Sequence, residues 1–98
     1  MMLKVMIIDD ELYFREALKV SIPWNDLGFD VCAEAKNGKD ALEKALKLNP
    51  DIMLVDINMP IMDGLEFVRN VNEKGINSKI IILTGHNEFN YAKQAVQL

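Results

Sequence analysis

The sequence predicts an α/β fold built on a parallel sheet, and three observations predict it. Short apolar runs at Leu3–Ile8, Ile52–Val55 and Lys79–Leu83 have the composition of buried strands. Segments whose apolar residues recur at helical spacing separate them. Strand and helix then alternate along the chain, an order that right-handed crossovers turn into a parallel sheet with helices on both faces.

Taken in order, Leu3, Val5, Met6, Ile7 and Ile8 form the first strand, which stops abruptly at Asp9, Asp10 and Glu11. From Leu12 to about Ile22, the residues Phe14, Leu18 and Ile22 mark one helical face with Ala17 beside them, and Pro23 ends the helix. Trp24 is expected to pack across that helix end. Asn25, Asp26 and Gly28 make a turn into Phe29–Ala35, a less apolar segment suited to a sheet edge. After Asn37-Gly38, a second helix from Lys39 to Leu48 carries Ala41, Leu42, Ala45 and Leu48 on one face, and Asn49-Pro50 terminates it.

The strand Ile52–Val55 delivers the chain to Asp56, in a loop with Asn58, Met59-Pro60, Asp63 and Gly64. Asp63 is expected to cap a third helix, whose Phe67, Val68 and Val71 share a face until Gly75. The strand Lys79–Leu83 ends at Thr84-Gly85-His86, and Phe89, Ala92 and Val96 predict a fourth helix from about Asn87 to Leu98.

A chain of 98 residues, half of them hydrophobic, holds one domain spanning residues 1–98. Its net charge of −4 excludes a basic nucleic-acid surface on this segment. Cys32 is the single cysteine, so it forms no internal disulfide and no cysteine-based zinc site. It is expected to be a small buried apolar residue. The opening apolar run is too short for a signal peptide, and no stretch is long enough for a membrane span. A cytoplasmic location is therefore expected.

Three strands end in polar groups of complementary chemistry, with Asp9 and Asp10 after the first, Asp56 after the third and Thr84 after the fourth. In a parallel sheet those ends share an edge, the usual ligand position in such folds. Gathered carboxylates repel unless a proton or a cation is taken up. Mg2+ suits them, because it takes oxygen ligands and needs only one or two carboxylates beside a phosphate. Phosphoryl transfer follows, with Asp56 as nucleophile and Thr84 as hydroxyl donor.

Ile7-Ile8-Asp9-Asp10-Glu11, then Val55-Asp56-Ile57-Asn58-Met59-Pro60 through Asp63-Gly64, then Leu83-Thr84-Gly85, together resemble bacterial receiver domains of two-component response regulators. The resemblance covers essentially the whole chain. It implies a flavodoxin-like doubly wound sheet of strand order 2-1-3-4, with Asp56 as phosphorylation site and a sensor histidine kinase as donor. It further implies Asp10 as direct Mg2+ ligand, Asp9 holding the ion mainly through water, Asn58 offering a backbone carbonyl, and Thr84 reporting phosphorylation. Ser21-Ile22-Pro23-Trp24 with Leu27-Gly28-Phe29, and Gly85 through Ala92, look like regulators whose receiver precedes an AraC-type helix-turn-helix output domain.

Complete receivers carry a fifth strand, a fifth helix and a lysine after that strand, none of which has a counterpart here; the chain is thus expected to be incomplete at its C-terminus. The apolar fourth strand would then be an exposed edge, inviting self-association. The expected function is a phosphorylation-dependent switch that catalyses at most its own phosphorylation and dephosphorylation. One alternative is a metal-dependent phosphatase of the haloacid dehalogenase type. Such enzymes place an aspartate two residues after the nucleophile, where this chain has Asn58. A second alternative is an unphosphorylated receiver-like interaction module, whose acidic site would be expected to be degraded.

Overall fold

A computed structural model describes residues 2–56 and 63–83. Their elements run β1 (Leu3–Ile8), α1 (Leu12–Ser21), β2 (Phe29–Ala35), α2 (Gly38–Leu48), β3 (Ile52–Asp56), α3 (Gly64–Glu73) and β4 (Lys79–Leu83). The helix expected after β4 lies outside the described residues. All strand pairs are parallel and the sheet order is β2-β1-β3-β4, as expected for the doubly wound, flavodoxin-like arrangement.

Side chains of a strand alternate between faces, and β1 divides the core accordingly. Met6 and Ile8 pack with Met53 and Val55 beneath Ala41 and Ala45 of α2 and Phe67 and Val71 of α3. Val5, Ile7 and Leu54 face the other way, toward Leu18 of α1, Trp24 and Phe29. The two faces are unequal. Phe67 is wholly buried on the α2–α3 side, whereas α1 contributes no buried residue to its own side. In β4, Ile80 and Ile82 pack against the first cluster and Leu83 against the second, while Ile81 is 44% exposed.

Local chemistry ends each helix near its expected boundary. Asn37 Oδ1 accepts the Asp40 N–H at 2.8 Å to start α2. Asn49, in the left-handed region at φ 47°, closes α2 before Pro50 by donating its N–H to the Ala45 carbonyl. Asp63 caps α3 as expected, its Oδ1 accepting the Glu66 N–H at 2.9 Å. At the other end Gly75, at φ 69°, permits a Schellman cap: its N–H bonds the Asn72 carbonyl and the Ile76 N–H bonds that of Val71. α1 ends at Ser21, and the Trp24 indole N–H then bonds the Leu18 carbonyl at 3.1 Å, laying the ring across the helix end.

Two residues depart from expectation. β3 runs one residue further than its apolar run, so Asp56 is its last residue and pairs with Leu83 instead of entering the loop. Cys32 is only partly buried, because the β1–β2 register passes from Val5↔Val31 to Met6↔Ala33 and leaves it as the extra residue of a bulge. Its limited burial still raises the thiol pKa by desolvation.

With little burial beneath α1, ion pairs fasten that helix to β2. Glu34 receives Arg15 Nε at 3.0 Å and Lys19 Nζ at 2.7 Å, and Lys19 also meets Glu16 at 2.9 Å. The Lys19 hydrogen bond leads the causes that lower the Glu34 pKa, against a smaller opposing desolvation. A lowered carboxyl pKa contributes stability above the unfolded value, about 4.3, and that stability is lost as pH falls through the folded value. The Glu34 side chain is 28% exposed, so solvent screens the pairs and keeps their contribution small. Glu34→Gln should lower the urea midpoint at neutral pH, and the deficit should shrink as pH falls below the unfolded carboxyl value, about 4.3, and vanish below the lower folded value. A deficit that persisted in acid would place the effect in packing instead.

Candidate functional site: an acidic edge of the sheet

β1 and β3 lie side by side in register, with Ile8 opposite Val55. The next residue along each strand is an aspartate, so pairing alone brings Asp9 and Asp56 to neighbouring positions on the C-terminal edge. Asp10 follows Asp9 into the turn before α1. The three carboxylates each offer an oxygen, and those oxygens lie within 4.8 Å of one another.

Their surroundings differ. Asp9 is buried, at 5% exposure, Asp56 is intermediate and Asp10 is exposed. The Asp9 N–H donates to the Ala35 carbonyl at 3.0 Å, and its Oδ1 accepts the Glu11 N–H at 2.8 Å. Desolvation raises the Asp9 pKa above its ordinary value. The hydrogen bond from Glu11 and the charge of Arg15 oppose that rise, whereas the charges of Asp10 and Glu11 add to it. Keeping this buried carboxylate charged beside two other acids therefore carries a cost.

That cost is what a hard cation would relieve. Around an octahedral Mg2+ with oxygens at about 2.0–2.1 Å, ligand oxygens stand roughly 3–4 Å apart, so oxygens within 4.8 Å can converge on one ion with small adjustments or through its waters. The donors are all carboxylates, which favours magnesium over softer metals. Glu11 is the N-cap residue of α1 yet makes no side-chain cap bond. The Glu11 carboxylate is therefore not accounted for by helix capping.

Of the site residues expected from sequence, Asp9, Asp10 and Asp56 are brought together. Asn58 and Thr84 lie outside the described residues. Two residues that the sequence did not single out also meet this edge. Arg15 Nη1 donates to the Asp9 carbonyl oxygen at 2.5 Å, and Glu34 holds the same guanidinium. A single arginine one turn into an exposed helix carries no sequence signal of that role, since its partners come from β1 and β2. Next to them lies an open cleft of about 550 Å³ lined by Leu12, Arg15, Glu34 and Lys44. Its charged groups are largely paired with one another: Lys44 bridges Asp40 at 3.2 Å and donates to the Glu34 carbonyl.

Known proteins resemble the chain along nearly its whole length. The response regulator receiver domain family matches residues 5–98. The transcriptional regulatory protein YdfI of Bacillus subtilis is 44% identical over 95 residues, 97% of this chain and 44% of that protein. Among solved structures, the receiver domain of AraT, a response regulator from Geobacillus stearothermophilus, superposes with TM-score 0.91 at 45% identity, covering 99% of this chain and 75% of that one. A two-component transcriptional regulator AraC from Clostridium phytofermentans gives 0.88 at 35% identity, over 98% and 74% of the two chains. The chain thus spans less than half the length of the YdfI regulator it matches. With a sheet of order β2-β1-β3-β4 and acids gathered at its C-terminal edge, the chain belongs to the response regulator receiver domain family of two-component signalling.

Proposed function

We propose that the chain is a phosphorylation-dependent switch in which Asp56 accepts a phosphoryl group from a histidine kinase. The observation that carries this reading is the convergence of Asp9, Asp10 and Asp56, with Asp9 buried and destabilised as an anion. Mg2+ held by these carboxylates and by the Asn58 backbone carbonyl would neutralise charge on the phosphoryl oxygens. Asp56, the last residue of β3, would attack phosphorus with a carboxylate oxygen. A new P–O bond forms as the P–N bond to the donor imidazole breaks, and the imidazole nitrogen leaves with the bonding pair and takes up a proton. Thr84 would then donate its hydroxyl to a phosphoryl oxygen and couple occupancy of Asp56 to the segment after β4.

The reading extends to an output domain. Relatives bear the names of transcriptional regulatory proteins, and one structural neighbour is a two-component regulator AraC. A helix-turn-helix output domain would therefore contact DNA, while this acidic chain makes no nucleic-acid contact of its own. No described helix is long and apolar enough to cross a membrane. Catalysis is confined to the chain's own phosphorylation and dephosphorylation.

Incubation with Mg2+ and acetyl phosphate should add the mass of one phosphoryl group, and Asp56→Asn should abolish the gain. Absence of a gain, or one that survives the substitution, would overturn the reading. Saturating Mg2+ should also stabilise the fold: at about 100 times the dissociation constant, linkage gives about 2.7 kcal/mol. For a domain of this size that is roughly 10–20 °C in Tm. Asp9→Asn should raise Tm without Mg2+, by removing the buried charge, and should lose most of the Mg2+ response.

Self-association through β4 is supported by its edge position among the described strands and by exposed Ile81. Light scattering over a concentration series should show mass rising with concentration; a constant monomer mass counts against it.

A further inference from the structure

Arg15 has no part in the reaction just described, yet it is unusually well anchored for a cation on α1. Its side chain is 12% exposed on a helix that has no buried residue. Nη1 donates to the Asp9 carbonyl oxygen at 2.5 Å, and Nε donates to Glu34 Oε1 at 3.0 Å. Glu34 is itself fixed from a second side by Lys19 at 2.7 Å. The Asp9 N–H, meanwhile, is bonded to the carbonyl of Ala35, the residue after Glu34. Both polar groups of the Asp9 backbone are therefore tied to the end of β2, one directly and one through the guanidinium.

The carbonyl that Arg15 grips belongs to the peptide bond joining Asp9 to Asp10. That unit is planar, so fixing its oxygen fixes the plane from which both carboxylates depart. We propose that Arg15, braced by Glu34, is a positioning residue that sets the Asp9–Asp10 peptide so that both carboxylates face Asp56. The role rests on the metal-site reading above and deepens it. A guanidinium suits this position because its rigid fork spans carbonyl and carboxylate at once, which the single ammonium of lysine does not reproduce.

Electrostatics and positioning predict opposite signs. A positive charge near a cation site repels the ion, so loss of Arg15 through its charge alone would tighten Mg2+ binding. Loss of a positioning group weakens it, by about 10-fold for residues that orient metal ligands.

The test compares Arg15→Met, Arg15→Lys and Lys19→Met in the full chain, by calorimetric Mg2+ titration and by NMR hydrogen exchange of the Glu11 amide, which bonds Asp9 Oδ1. Arg15→Met should weaken Mg2+ binding about 10-fold and speed Glu11 exchange, with Arg15→Lys close behind. Lys19→Met removes the other cation from Glu34 but leaves both Arg15 bonds in place, and should weaken Mg2+ binding clearly less than Arg15→Met. Unchanged or tighter binding in Arg15→Met, with Glu11 exchange at the wild-type rate, would overturn the proposal. Failure of the wild-type chain to bind Mg2+ would instead overturn the metal site, and Glu11 exchange would still decide whether Arg15 holds the Asp9–Asp10 turn.

Discussion

Parallel pairing of β1 with β3 is the constraint on which the rest depends. The two strands are buried between helical layers and carry almost nothing but apolar side chains until each reaches an aspartate. Slipping the register by one residue would send the side chains that now face α2 and α3 toward α1, so the pairing is strongly specified. Once it is set, Asp9 and Asp56 have no freedom to avoid one another. The hydrophobic core thereby sustains an electrostatic conflict at its own edge, and the acidic site is a by-product of the strand register as much as of any local turn.

The protein manages that conflict in layers. The Glu11 backbone N–H reaches the Asp9 carboxylate first. Arg15 adds a positive charge and a grip on the backbone, while Glu34 prevents that charge from being an unpaired cation beside the site. The unequal faces of the sheet make this arrangement consequential. α2 and α3 are held by buried side chains, whereas α1 is held largely by ion pairs and by Trp24. The helix nearest the acids is thus attached by interactions sensitive to charge and salt.

Much of this was legible in the sequence, for identifiable reasons. Leu3–Ile8 and Ile52–Val55 are continuous apolar runs with acids after them, and such runs have few structural interpretations. Asn37, Asn49, Asp63 and Gly75 announce helix ends through local backbone chemistry that spacing alone reveals. What was illegible depends on partners distant in sequence. Cys32 looks like a core residue until the β1 register assigns it no opposite number. Arg15 looks like a solvated charge until Glu34 and the Asp9 carbonyl are brought to it. Asn58 and Thr84 rest on the pattern of their neighbours, since they lie outside the described residues.

The bulge at Cys32 also bears on how the molecule behaves in company. A regular edge strand displays hydrogen-bonding groups at an even pitch, a template on which another polypeptide can lay a strand. In β2 that pitch is interrupted in mid-strand, and Asp30 and Glu34 place carboxylates to either side of the interruption. An incoming strand would meet a broken ladder with the exposed Asp30 carboxylate beside it. One margin of the sheet is in this way made inhospitable to fibre growth, by a single extra residue whose sulfur chemistry plays no part in the effect.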